Sequence, residues 1–380
     1  MSAPRLLKGF EVELFTGRLC GENVGVASEA ARDLPGFVTE PDRRNLEYIT
    51  EPLSDYGLLK EALLTPRRTL RTWLSSRGLT LLPGSTLSLG DSERFERSDP
   101  GNPYHALIEA TYGTRVVTAS VHINLGITDL PQLFAAVRLV RCEAALLLAL
   151  SASSPFLGGQ NTGRHSQRWH QFPLTPKCVP LFRDHRHYIE WVEEQLRIGS
   201  MRNERHLWTS VRPNGPERPY RLNRLELRIC DLVTDPAELI AITALLELRV
   251  MLLMQQPEQL DPLIASSLSA AELVMLADAN DLAASEASLD ATLHHWKDAA
   301  PLLCRDWITA LIESVQPLAV EIGLSHRLKP LMTLLENGNQ AMRWQSENTA
   351  GRSIADLLHA GSLTMEEQEL ADHSCSAALG

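Results

Sequence analysis

Between Leu222 and Asp231 the chain reads LNRLELRICD, and its residues alternate in character one by one. Asn223, Leu225, Leu227 and Ile229 share one parity; Arg224, Glu226, Arg228 and Cys230 share the other. Alternation at period two is the pattern of a half-buried strand, with one face on a core and the other polar. The polar face sets a carboxylate between two guanidiniums. Three further segments repeat the arrangement. GFEVELF (Gly9 to Phe15) puts Phe10, Val12 and Leu14 on one face and Glu11 and Glu13 on the other. VVTASVHINLGI (Val116 to Ile127) sets Thr118, Ser120, His122 and Asn124 opposite Val117, Ala119, Val121, Ile123 and Leu125, and RNLEYIT (Arg44 to Thr50) supplies Glu47. A solvated sheet face with cross-strand ion pairs would account for one such strand, but here it would have to be invoked four times. If the strands are neighbours, Glu11, Glu13, Glu47, His122 and Glu226 converge on one cleft. Four carboxylates there repel one another, so a hard cation is their natural partner. A neutral imidazole is an admissible further ligand, more usual for manganese or zinc than for magnesium.

The chain has 380 residues with 44% hydrophobic content, enough for a large core. Its net charge of −11 argues against nucleic-acid or anionic-membrane surfaces, both of which need basic patches. The longest apolar run, Ala144 to Leu150, is far shorter than the ~20 residues that span a bilayer. No apolar signal segment precedes Glu11, and the six cysteines show neither a CxxC pair nor zinc-ligand spacing. Reduced thiols and a cytoplasmic location are the expectation. Neither a GxxxxGK[ST] loop nor a GxGxxG fingerprint occurs, so a bound nucleotide would be held by metal ions and arginines on a sheet.

Along the chain, Tyr56 to Ser75 has helical spacing, with Pro66 expected to open a second segment. Leu82 to His105, rich in Gly, Pro, Ser and Asp, is expected to be a long loop over the cleft, part of a lid. Asp129 and Pro131 open a helix to about Ser151, whose Arg138, Arg141 and Glu143 suggest an outer face. Asp184 to Ile198 is amphipathic, and Asp235-Pro236 caps a helix reaching about Gln256. From Pro257 onward the spacing is helical with no strand, and Ser269 to Glu272 and Thr364 to Glu367 both fit a capping box. A catalytic core over 1–256 and a helical C-terminal part over 257–380, packed on it as one unit, are therefore expected.

The quoted strands also resemble a known family. Together with EPDRRNLEYIT (Glu40 to Thr50), SASSPFLGGQNTGRHSQRW (Ser151 to Trp169) and HLWTSVRPNG (His206 to Gly215), they are similar, in the same order, to glutamate–cysteine ligases of the compact bacterial branch. That branch belongs to the carboxylate–amine ligases, which share the glutamine synthetase catalytic fold. The likeness covers residues 9 to 256 and thins afterwards to NQAMRW (Asn339 to Trp344). It implies an α+β fold: a curved, mainly antiparallel sheet with helices on its convex face, the site on its concave face and a helical C-terminal part. It also implies ATP as cosubstrate and two or three Mg²⁺ ions, with Mn²⁺ as an alternative. The reaction implied is γ-phosphorylation of L-glutamate, then attack by the amine of L-cysteine to give γ-glutamylcysteine, the first step of glutathione synthesis. Carried over by motif, Glu11, Glu13, Glu47, His122 and Glu226 are the metal ligands, Glu226 and Arg228 are catalytic, and Arg168, Arg212 and Asn124 bind substrate. Asp42 stays outside the ligand set because its distance from Glu47 departs from the family's pattern. Two other readings stay open: a glutamate ligase with another amine acceptor, and a non-catalytic metabolite-binding protein on the same fold.

Overall fold

The alternation in Gly9 to Phe15 becomes the central strand of the molecule. In the computed structural model, which describes residues 5–371, β1 runs over Lys8–Gly17. It buries Phe10, Val12 and Leu14 on one face and leaves Glu11 and Glu13 partly open on the other. The remaining strands are β2 (Phe37–Thr39), β3 (Asn45–Ile49), β4 (Thr80–Leu82), β5 (Val121–Gly126), β6 (Phe156–Leu157), β7 (Gln160–Asn161), β8 (Val211–Asn214), β9 (Arg224–Leu227), β10 (Thr292–His294) and β11 (Pro301–Leu303). Seven of them form one antiparallel sheet in the order β2-β3-β1-β5-β9-β8, with β4 paired to the end of β1.

Register converts the four sequence patterns into one row of side chains. Glu13 lies opposite Glu47, Glu11 opposite His122, Asn124 opposite Glu226, and Arg212 opposite Glu226. A slip of one residue on any strand would send its polar set into the core, so burial of the apolar set fixes the row. Strand β9 is shorter than its alternation suggests. The amides of Arg228 and Ile229 both donate to the carbonyl of Ser210, at 2.7 and 3.2 Å, which breaks the ladder there. Past this break Cys230 turns into the core, its Sγ 3.8 Å from the Leu147 carbonyl, rather than into the cleft.

Helices cover the apolar face. The Leu130–Ser151 helix is capped by Asp129, whose Oδ1 accepts from the Gln132 amide at 2.9 Å, and every residue from Leu133 to Ser151 is buried. Arg138, Arg141 and Glu143 therefore do not mark an outer face. Each is paired inside with a residue much later in the chain: Arg138 with Asp261, Arg141 with Asp281 and Asp278, and Glu143 with Arg249. The Pro236–Gln255 helix packs beside it, and helices of 257–371 close over both.

Other expectations are corrected. The Tyr56–Ser75 helix is continuous through Pro66. Residues 83–102 form no lid: Ser85, Thr86 and Ser88 are buried, and Asp91 and Arg94 offer carbonyls to the buried Arg44 at 2.7 Å each. After Pro257 there is a strand pair, β10 with β11, too short to leave an alternating signature. The Ser269 capping box is present, whereas Thr364 lies within a helix that starts after Ser353. Among the described residues no helix is long and apolar enough to cross a membrane.

Candidate active site

The polar face of the sheet opens into a cleft of about 550 Å³. Along its floor His122 Nδ1 stands 3.0 Å from Glu11 Oε2, and Asn124 Nδ2 donates to Glu11 Oε1 at 3.2 Å. Ser120 Oγ donates to Glu13 Oε2 at 2.7 Å and lies 3.2 Å from His122 Nε2. Two overlapping sets of ligand atoms result, each with all its atoms within 4.8 Å of one another: Glu11, Glu47 and His122, and Glu13, Glu40 and Glu47. Glu47 belongs to both.

Glu40 was not among the residues expected here. It precedes β3 and belongs to no strand, so parity could not flag it; its place at the head of EPDRRNLEYIT was the one available signal. Asp42, the nearby acid, is instead buried in an ion pair with Arg44 at 2.7 Å and accepts the Glu96 amide. Burial, then the neighbouring Glu13, pushes the Glu40 carboxyl up to about 8 against the pull of Arg228. Burial, then Glu40, Glu11 and Glu13, pushes Glu47 up to about 10. Carboxyls held this far above their ordinary range lack counter-charge, and oxygen donors with one imidazole fit a magnesium- or manganese-like cation.

On the other side stand the arginines. Glu226 is fully buried, and its carboxylate accepts from Arg212 Nε at 2.7 Å and Nη2 at 3.1 Å, Asn214 Nδ2 at 2.6 Å and Arg228 Nη1 at 2.5 Å. Burial would raise its pKa, but Arg212 and Arg228 outweigh burial and hold it well below the carboxylate range. Expected among the metal ligands, Glu226 thus lies outside both ligand sets, with both oxygens committed to cations. Burial followed by the neighbouring Arg228 brings Arg212 down to about 10, whereas Glu226 and Glu11 overcome burial and raise Arg228. Arg228 Nη1 also reaches to 3.4 Å from His122 Nδ1, joining the arginine cluster to the carboxylates.

Arg168 does not line this cleft. Its Nη1 and Nη2 donate to the carbonyls of Ile229 and Arg228 at 3.0 Å each, and Asp231 lies 3.8 Å away. Arg218, which the sequence did not single out, does line the cleft, with a buried Nη1 that has no partner among the described residues. At the Gly9 end of β1 a second pocket of about 410 Å³, largely apolar and bordered by Ile49, Pro52 and Gly126, adjoins the floor at Glu11 and Asn124. The cleft therefore offers an apolar seat, a bed for cations and a bank of guanidiniums in sequence, a layout suited to a phosphorylated aromatic ligand and an anionic co-reactant.

The family model for Glutamate-cysteine ligase family 2 matches residues 7–364. A protein of Gloeobacter violaceus named "Putative glutamate–cysteine ligase 2" is 26% identical over 332 residues, 85% of each chain. A "Putative glutamate–cysteine ligase 2-1" of Mycolicibacterium vanbaalenii is 26% identical over 355 residues, 91% of this chain and 90% of its own. The fold is that of a glutamate–cysteine ligase from Francisella tularensis solved with AMP, at a TM-score of 0.75 and 12% identity, covering 97% of this chain and 90% of that one. A bifunctional glutathione synthetase from Pasteurella multocida is similar at 0.72 and 15%, over 97% of this chain and 53% of its own. With the match running almost end to end, the chain belongs to glutamate–cysteine ligase family 2.

Proposed function

We propose that the protein joins the γ-carboxylate of L-glutamate to the amine of L-cysteine at the expense of ATP. The observation that carries this reading is the pair of cation-ligand sets sharing Glu47, joined to a guanidinium cluster through Arg228. A carboxylate is a poor electrophile because oxide would have to leave. Transfer of the ATP γ-phosphoryl to a γ-carboxylate oxygen, with ADP departing, supplies a better leaving group. The amine nitrogen then attacks the carbonyl carbon; the C–N bond forms, the bond to the phosphate oxygen breaks, and the amine loses a proton. Magnesium held by Glu11, Glu47 and His122, and by Glu13, Glu40 and Glu47, would neutralise the triphosphate so that an anionic carboxylate can approach.

The chain's own residues contribute orientation and charge. Arg228 presents a permanently charged, planar donor beside the bed, where charge accumulates on the transferred phosphoryl group. Glu226 holds that guanidinium and that of Arg212 in place, so it serves as their counter-ion rather than as a ligand. Asn124 steadies Glu11. Arg212 and the partly unpartnered Arg218 face the space that a dicarboxylate would fill. The largely apolar pocket at the Gly9 end, which adjoins the cation bed at Glu11, would take the nucleotide base.

Mass spectrometry of the product from ATP, Mg²⁺, glutamate and a panel of amines tests the proposal. The expected product is γ-glutamylcysteine with one ADP per turnover. Stimulation of ADP release by another amine, with cysteine inert, would reassign the acceptor; ATP binding without ADP formation under every condition would end the ligase reading.

A further inference from the structure

At the Glu13 end of β1, opposite the apolar pocket, a smaller compartment of about 80 Å³ opens behind Glu13 and Glu40. Its walls are Ile108, Val116, Phe172 and Trp208, and Arg168 and Arg228 border it. The aromatic wall is braced. Trp208 packs against Tyr112 and Phe172 with ring centroids 5.1 and 5.4 Å apart, and Tyr112 Oη is 2.9 Å from His206 Nε2. Arg168 is almost fully buried, and its Nε has no partner among the described residues. Positive charge therefore borders the compartment on one side, carboxylates on another, and aromatic and aliphatic carbon on the rest.

Position, size and charge each restrict what this space can take. Gly9, Glu11 and Glu13 follow one another along β1, so the apolar pocket, the cation bed and this compartment lie in line. A reactant seated here approaches the bed from the side opposite the apolar pocket. The nucleotide and a dicarboxylate fit the larger, polar cleft, whereas a space this small, with an apolar wall, suits a reactant of few heavy atoms. A small amino acid fits this arrangement: a carboxylate for the guanidinium border, and an amine turned toward the edge where Glu13 and Glu40 hold the bed, from which it can reach the activated carboxyl.

We propose that this compartment seats the amine acceptor as a small α-amino acid with a compact, uncharged side chain, and that Trp208, Phe172, Ile108 and Val116 set its size limit. The inference rests on the ligase reading and adds to it the residues that choose the second substrate. Bulky acceptors meet Trp208 and Ile108. Exclusion by such a wall is worth roughly tenfold or more per surplus methylene.

The test compares wild type, Trp208→Ala and Val116→Phe by steady-state kinetics with glycine, alanine, cysteine, 2-aminobutyrate, leucine and phenylalanine as acceptors. Positional isotope exchange in labelled ATP, dependent on glutamate alone, is measured beside it. Wild type should favour the compact acceptors. Trp208→Ala should raise the KM for cysteine about tenfold and admit leucine. Val116→Phe, at a half-buried position on the compartment wall, should narrow the profile toward glycine, which keeps the test open should the tryptophan variant fail to fold. In both variants the KM for glutamate should move by less than about twofold, since uniform loss of acceptor binding is what the change removes. If glutamate KM rises and the acceptor profile stays fixed, the compartment holds glutamate and the proposal is overturned. An unchanged profile in both variants, with exchange intact, overturns it alone; absence of ADP formation in the wild type with every acceptor would remove the ligase reading and this one together.

Discussion

At Glu226 we expect a side chain to matter for turnover without touching a substrate. It is fully buried among Arg212, Arg228 and Asn214, so Glu226→Gln leaves two guanidiniums without their counter-charge. The expected cost is about 3 kcal/mol or more in urea unfolding, together with near-complete loss of turnover. Arg228→Lys should separate the two effects: stability changes less, while kcat falls by about tenfold or more because an ammonium cannot reproduce a planar fork. A lysine variant with intact kcat and only a raised glutamate KM would make Arg228 a ground-state binder. The carboxyl bed makes a different prediction. Glu40 and Glu47 have folded values of about 8 and about 10, above the ordinary 4.5. Stability linked to them is full below that ordinary value and is lost as pH rises through the two folded values. The metal-free protein should therefore lose thermal stability as pH climbs from ~5 to ~9, and Mg²⁺ should restore it with release of protons, measurable by calorimetry in buffers of different ionisation enthalpy. A melting temperature independent of both pH and Mg²⁺ would contradict a cation bed. Glu11, Glu13, Glu47 and His122 were legible because strand parity places them; Glu40 was not, because a residue outside a strand has no parity.

At the scale of elements, what could be read was local and what could not was distant. Asp129, Asp235 and Ser269 all cap helices where the sequence indicates, since a cap is satisfied within three residues of itself. The charges on the Leu130–Ser151 helix misled because their partners, Arg249, Asp261, Asp278 and Asp281, lie on segments that arrive later. The same logic holds the last helix in place. Glu369, near the end of Ile354–Leu370, pairs with Arg67 at 3.1 Å and with Arg71, both on the Tyr56–Ser75 helix and both buried. Replacing one partner of a buried cluster costs more than the cluster contributes, because the remaining charges stay desolvated. Glu369→Gln should lower unfolding free energy by about 3 kcal/mol, with the KM values for substrates unchanged because the clamp lies on the covered side of the sheet. A loss below about 0.5 kcal/mol, the range of exposed pairs, would show that the clamp is solvated.

For the whole molecule, sequence composition suggested a core over 1–256 and a helical part over 257–380 packed on it, and we propose that the two unfold together. The helix Leu130–Ser151, buried along nearly its whole length, is covered in part by Ala270–Ala287, and the buried Trp296 donates its indole N–H to Glu143 at 2.9 Å. Removing the later helices would expose this apolar helix and leave Arg138 and Arg141 without their acidic partners, so the first part has no complete core of its own. Three buried thiols report on the question. Cys142 and Cys230 lie in the first part and Cys304 in the second, all remote from solvent. In a denaturant titration with pulsed thiol labelling and peptide mass spectrometry, each becomes reactive only when its own surroundings open. Joint unfolding predicts that the three labelling midpoints coincide with one another and with loss of far-ultraviolet circular dichroism, while the exposed Cys20 and Cys178 label throughout. Labelling of Cys304 at a lower denaturant concentration, with Cys142 and Cys230 still protected, would mean that the C-terminal part opens by itself. The carboxylates of the catalytic sheet would then be held by a core that does not need it.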